Sequence, residues 1–186
     1  MFIQVKRLLF LVTATIVFAG NSLAQQKKAI GWVEKIGIPE LGVTVNGTLL
    51  SGAEICSLNS SDIQYFKRDG QDWVRFKVLN RYGPSIQAEK PVIRFASIKS
   101  KSGPAEKRPV VRFGLCIGTH FAQTEISLTN RKKFSYDMLI GRGFEAGHFL
   151  IDPSVTYTQE PSCPGKAKLA LTAPVQNAAK PAGKVK

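Results

Sequence analysis

Ile63-Gln64-Tyr65-Phe66-Lys67-Arg68-Asp69-Gly70-Gln71-Asp72-Trp73-Val74-Arg75-Phe76-Lys77-Val78-Leu79 decides the fold class. Trp73, Arg75 and Lys77 alternate with Val74, Phe76 and Val78, so a strand through them presents one mainly apolar face. Asp69-Gly70 supplies the positive φ angles of a tight turn, which makes 63–67 and 73–79 the arms of a β-hairpin. The same signature recurs at Val43-Thr44-Val45-Asn46-Gly47-Thr48-Leu49-Leu50, where Asn46-Gly47 predicts a second hairpin turn. Residues 91–98 and 110–117 predict further strands, joined by the polar, Gly- and Pro-containing loop 99–108 at a hairpin tip. Cys116-Ile117-Gly118-Thr119-His120-Phe121 reads as another turn, leading into a strand at 122–128. Beyond the first residues no long stretch has a 3.6-residue apolar period, and a short helix fits only after Gly143. The expectation is a mainly all-β chain forming a closed or partly closed barrel with at most one short helix.

Outside this region the composition changes twice. Lys6 and Arg7 precede an apolar run from Leu8 to Gly20, and Ser22-Leu23-Ala24 places small residues where a signal peptidase cuts. The run is shorter than the roughly 20 apolar residues of a spanning helix. Residues 1–24 are therefore read as a signal peptide cleaved at Ala24-Gln25, which predicts a periplasmic or secreted protein with no transmembrane segment in the mature chain. A linker at 25–29 then leads into a domain at 30–158. Residues 159–186 are rich in Ala, Pro and Lys and too poor in large apolar side chains to offset the entropy of ordering, so they predict a disordered tail.

The chain carries a formal net charge of +13. That balance favours anionic polymers, but the basic residues are scattered and cluster only in the tail, which argues against a specific nucleic-acid partner. Export permits a disulfide among Cys56, Cys116 and Cys163, and leaves at least one of the three without a partner in the chain. Two histidines, His120 and His148, with no HExxH pattern and no zinc-like cysteine spacing, predict no metal site, and no Walker loop predicts no nucleotide cofactor. His120, beside a turn, is expected at the surface, and His148, among apolar residues, is expected to be packed.

Several segments together carry a resemblance. These are Ile30-Gly31-Trp32 with Ile38-Pro39-Glu40-Leu41-Gly42; Asp69-Gly70-Gln71-Asp72-Trp73-Val74-Arg75-Phe76; Leu128-Thr129-Asn130-Arg131; Met138-Leu139-Ile140-Gly141-Arg142; and Gly147-His148-Phe149-Leu150-Ile151-Asp152-Pro153. In this order and spacing the chain resembles the bacterial retropepsin-like aspartic peptidase domains, a family also labelled ATP-dependent zinc protease. The similarity spans 30–157. It implies a strand ending in an Asp-Thr-Gly or Asp-Ser-Gly turn, with two copies, normally from two chains, bringing two carboxylates together. Close like charges share one proton, so one group activates water while the other polarises the peptide carbonyl. It also implies an apolar-apolar-Gly-Arg element packed behind the turn, which Leu139-Ile140-Gly141-Arg142 matches.

The turn itself departs from that pattern. Ser51, Gly52 and Ala53 fit, but Leu50 stands where the aspartate is expected. Leucine neither accepts a proton nor orients a water, and general-base chemistry alone is worth about 10²–10⁴ in rate. Glu54 is the weak candidate for a substitute carboxylate. Asp62, Asp137 and Asp152 read as turn or surface residues, and Cys56 as a structural thiol or disulfide partner. The expected function is an exported pseudoenzyme that holds a peptide or protein in extended conformation, with a homodimer permitted by the apolar Leu50. Two alternatives stand beside it: an active endopeptidase using Glu54 or a cysteine, and a basic envelope-binding protein.

Overall fold

The computed structural model describes residues 26–81, 83–99 and 104–164. The expected signal peptide, its cleavage site and residues 165–186 of the expected tail lie outside these. The described chain forms β1 (Lys28–Gly31), β2 (Val33–Ile38), β3 (Val43–Leu50), β4 (Cys56–Arg68), β5 (Gln71–Val78), β6 (Ile86–Pro91), β7 (Arg94–Ile98), β8 (Glu106–Ile117), β9 (His120–Thr129), β10 (Met138–Gly141), the one-turn helix α1 (Arg142–Glu145) and β11 (Phe149–Asp152). The all-β expectation with one short helix holds.

Six strands close on themselves in the order β3-β2-β8-β9-β4-β10, because β10 pairs in parallel with β3 and antiparallel with β4. The barrel is filled by Ile36, Val45, Leu49, Leu58, Val111, Phe113, Ile126, Leu128, Met138 and Ile140, all buried. Burying each such side chain contributes roughly 1.5–3 kcal/mol, which makes this core the main source of stability. Two long strands, β4 and β8, each serve three neighbours. The first part of β4, Cys56–Asn59, lies in the barrel beside β9, and from Ser60 on the strand pairs with β5, with a bulge between Ser61 and Gln64 where Asp62 has φ 51°. β8 pairs with β9 along 110–117 and with β7 along 106–110.

The β4–β5 hairpin turns at Asp69-Gly70, with φ of 50° and 76°, as the alternation predicted. Val74, Phe76 and Val78 are buried while Arg75 and Lys77 are exposed. The turn expected at Asn46-Gly47 is absent: β3 runs straight through both residues, and its hairpin with β2 turns at Pro39–Gly42 instead. Gly47 serves packing, not turning. A Cβ there would stand 2.7 Å from Ile36 Cγ1 and 3.4 Å from Met138 Cβ, so the barrel wall closes only over a glycine. The strand expected over 91–98 is interrupted at Val92-Ile93, where the chain passes from β6 to β7.

The seam between β2 and β8 is paired only at Gly37 and Cys116. The C-terminal segment fills it. Trp32 N–H donates to Val155 O at 3.2 Å and Tyr157 N–H to Val33 O at 2.8 Å. The buried Glu34 carboxylate accepts from Gly31 N, from Thr158 N and Oγ1, and from Gln159 N. Ser162 N–H donates to Gly118 O, and a disulfide joins Cys163 to Cys116 over the bare face of Gly37. Residues 159–164, assigned from composition to the tail, are thus part of the wall, and β1 begins at Lys28, inside the expected linker.

The disulfide spans 47 residues, and a loop of that size restricts the unfolded chain enough to stabilise the fold by about 4 kcal/mol on the chain-entropy account. Cys163→Ser is expected to lower the unfolding free energy by about 2–4 kcal/mol in urea denaturation, with the fold retained. An unchanged midpoint would contradict the role of this tether.

Candidate functional site

β3 ends at Leu50, and the chain reverses through Ser51, Gly52 and Ala53, with Ala53 N–H donating to Leu50 O at 2.9 Å. Because side chains alternate along β3, Leu49 points into the core and Leu50 points out, 48% exposed. Directly beside it runs β10, whose Gly141 is in register with Leu50. A Cβ on Gly141 would stand 2.8 Å from the Glu54 and Ile55 backbone, so only glycine lets the two segments lie this close. Arg142 N–H then donates to Ala53 O, Gly143 N–H to Glu54 O, and the Arg142 guanidinium to Gly52 O at 3.2 Å. Leu139-Ile140-Gly141-Arg142 is thus the brace behind the turn.

α1 continues from that brace and carries Glu145 beneath the turn. Glu145 is 5% exposed, and its Oε2 accepts a 2.8 Å hydrogen bond from Ser51 Oγ. Its Oε1 is buried with no partner. Burial pushes this carboxyl above the usual carboxylate range, against the lowering effect of the hydrogen bonds from Ser51 and the Leu50 backbone. Nothing in the sequence reading singled out Glu145. The signal that marks it is its place three residues after Arg142, a glutamate in the small and apolar stretch Gly143-Phe144-Glu145-Ala146-Gly147.

The other candidates fall elsewhere. Glu54 is exposed on the flank of the turn, 3.9 Å from the Arg142 guanidinium. Cys56 is buried beneath Gly141, whose N–H approaches its Sγ at 3.5 Å. Burial pushes its thiol up to about 11, with the Glu145 charge adding to the rise and hydrogen bonds from Gly141 and Thr124 opposing it, so Cys56 is a structural thiol. Asp62 and Asp152 sit at the surface, Asp152 capping the Ser154 turn. Asp137 does not: it is fully buried and accepts from Asn59 Nδ2, Arg81 N and Arg81 Nε. This network, with Arg131 donating to Ser57 Oγ and the Tyr136 carbonyl, fastens the Leu128–Arg131 motif to the barrel end. His120 is half-buried, not freely exposed. Its ring packs against Phe144, Phe149 and His148, its Nε2 is buried, and burial, with His148 beside it, holds it below the usual imidazole range. Among the described residues no group of three or more His, Cys, Asp or Glu side chains is placed to hold a metal ion.

A closed barrel in which a strand ending in Gly-Arg braces the turn of a neighbouring parallel strand is the fold of a retropepsin-like aspartic peptidase domain. The chain belongs to the RimB-like family, described as retropepsin-like aspartic endopeptidase RimB, whose profile matches residues 29–162. It is similar to proteins named probable alpha-L-glutamate ligase. One from Shewanella halifaxensis is 34% identical over 139 residues, 73% of this chain and 30% of the relative. One from Desulfotalea psychrophila is 32% identical over 166 residues, 79% of this chain and 36% of the relative. The chain therefore spans about a third of the length of these curated relatives. Among solved structures it is similar to the protein Lpg0085 of unknown function from Legionella pneumophila, with a TM-score of 0.63 and 28% identity over 73% of this chain and 100% of that one.

The raised Glu145 carboxyl gives a signed stability prediction. A group whose folded pKa lies above its unfolded value contributes stability that is present at low pH and lost as pH rises through the folded value. Glu145→Gln, which stays uncharged, is expected to remove that fall. The difference in unfolding free energy between variant and parent should therefore shift in the variant's favour between pH 4 and pH 8 in urea titrations. A difference constant across that interval would contradict the assignment.

Proposed function

We propose that this protein is an exported, retropepsin-like binding domain that holds an extended peptide without hydrolysing it by the two-carboxylate route. The observation that carries the reading is Leu50, an exposed leucine at the strand end where the family chemistry needs a carboxylate. Glu145 does not replace it, because its carboxyl lies behind the turn, buried, and faces Ser51 and not the solvent side. Two copies meeting at this turn would set leucine against leucine, an apolar contact of no use for activating water. Peptide capture is supported by the edges of β6 and β7, each paired on one side only among the described residues, where an extended chain could add as a further strand. The net positive charge, and the likeness to proteins named probable alpha-L-glutamate ligase, favour an acidic, glutamate-bearing peptide. The leader supports a periplasmic or secreted location.

Purified mature protein is expected to bind glutamate-rich peptides more tightly than neutral ones of equal length, with an affinity that falls as salt rises. It is expected to show no pepstatin-sensitive cleavage, whereas Leu50→Asp is expected to gain cleavage with an acidic optimum. Pepstatin-sensitive turnover by the parent chain would overturn the proposal, as would binding indifferent to peptide charge for the choice of ligand.

A further inference from the structure

The contact between Ser51 and Glu145 belongs to neither the aspartic chemistry nor strand capture. Ser51 is exposed, yet its Oγ donates inward to a carboxylate that burial makes more basic than usual. The carboxylate is itself oriented by the Leu50 backbone and held on α1, whose start is bonded to the Ala53 and Glu54 carbonyls. The neighbouring Gly52 leaves open space, with no atom within 4 Å of where a Cβ would sit. A nucleophile in front, a base behind it, and a third group fixing the base is the arrangement that activates hydroxyls.

We propose that Ser51 and Glu145 form a nucleophile–base pair that accepts acyl groups from esters. Ser51 Oγ bonds to the ester carbonyl carbon as the carbonyl π pair moves onto its oxygen, and the hydroxyl proton passes to Glu145 Oε2. The tetrahedral adduct collapses, the alkoxide leaves and takes a proton from a solvent water, and acyl-Ser51 and hydroxide remain. That hydroxide attacks the acyl carbon, the departing Ser51 Oγ takes back the proton held on Glu145 Oε2, and the acid is released. The redox state of every atom is unchanged, and no metal or cofactor takes part. Esters fit this pair better than peptides, since an alkoxide departs far more readily than an amine. This chemistry is independent of the peptide-holding reading.

The test is labelling of the full mature chain with an alkyl fluorophosphonate, with sites mapped by peptide mass, alongside p-nitrophenyl acetate turnover. Ser51 is expected to be modified well ahead of the exposed serines Ser154 and Ser162, and Glu145→Gln is expected to slow it by about a hundredfold or more. Ser51→Ala is expected to abolish labelling while leaving peptide binding intact, which separates failure here from failure of the binding proposal. Modification of Ser51 no faster than of Ser154 and Ser162 in the unaltered protein overturns the proposal, even if Glu145→Gln fails to fold. An equal rate in a folded Glu145→Gln protein overturns it as well.

Discussion

The parallel pairing of β10 with β3 is the contact on which the rest of the molecule depends. It completes the ring of strands by joining β3 to β4, and it sets Gly141 opposite Leu50. Peeling this four-residue strand away would leave β3 and β4 with open edges and draw its Met138 and Ile140 out of the core. On its other side β10 is held against the chain entering β4 by what Gly141 lacks, since any side chain there would collide with the Glu54–Ile55 backbone. Everything behind the turn follows from this: the Arg142 bonds to the loop carbonyls, the direction of α1, and the delivery of Glu145 to Ser51.

The turn consequently carries an exposed leucine in front and a buried carboxyl behind. At the exposed strand end stands a side chain with no proton to exchange. Some residues beneath it are polar where a barrel floor would ordinarily be apolar. A buried carboxyl with only one oxygen paired is costly to keep, because the unpaired oxygen forgoes its water without recovering a partner. Glu34 offers the contrast within the same molecule: both of its oxygens are engaged, and its role is to hold the C-terminal segment across the seam. A fully bonded carboxylate reads as architecture, whereas a half-bonded one beside an exposed hydroxyl is where chemistry has room to act.

Local turn chemistry and strand alternation made most of the sheet legible from the sequence, and the family resemblance supplied the turn and its brace. Asp69-Gly70 and Asn46-Gly47 carry nearly the same signal, yet only the first is a turn. What separates them is the crossing of Ile36 and Met138 over Gly47, a tertiary contact that no window of sequence contains. The same limit hid Glu145, Asp137 and Glu34. Each is an acidic residue that sequence places at the surface by default, and each is drawn inward by partners 56 to 125 positions away. The pairing of Cys116 with Cys163 was equally beyond reach, because it depends on the C-terminal segment returning along β2.

The account rests on one coupling, between the Ser51 hydroxyl and the Glu145 carboxyl beneath it. A carbon-13 NMR titration of the Glu145 side-chain carboxyl, in the parent and in Ser51→Ala, tests it directly. The predicted result is a titration above the ordinary carboxylate range in the parent and higher still in the variant, because the hydroxyl bond that favours the charged form has been removed. A carboxyl that titrates in the ordinary range, unmoved by loss of the hydroxyl, would contradict the central claim.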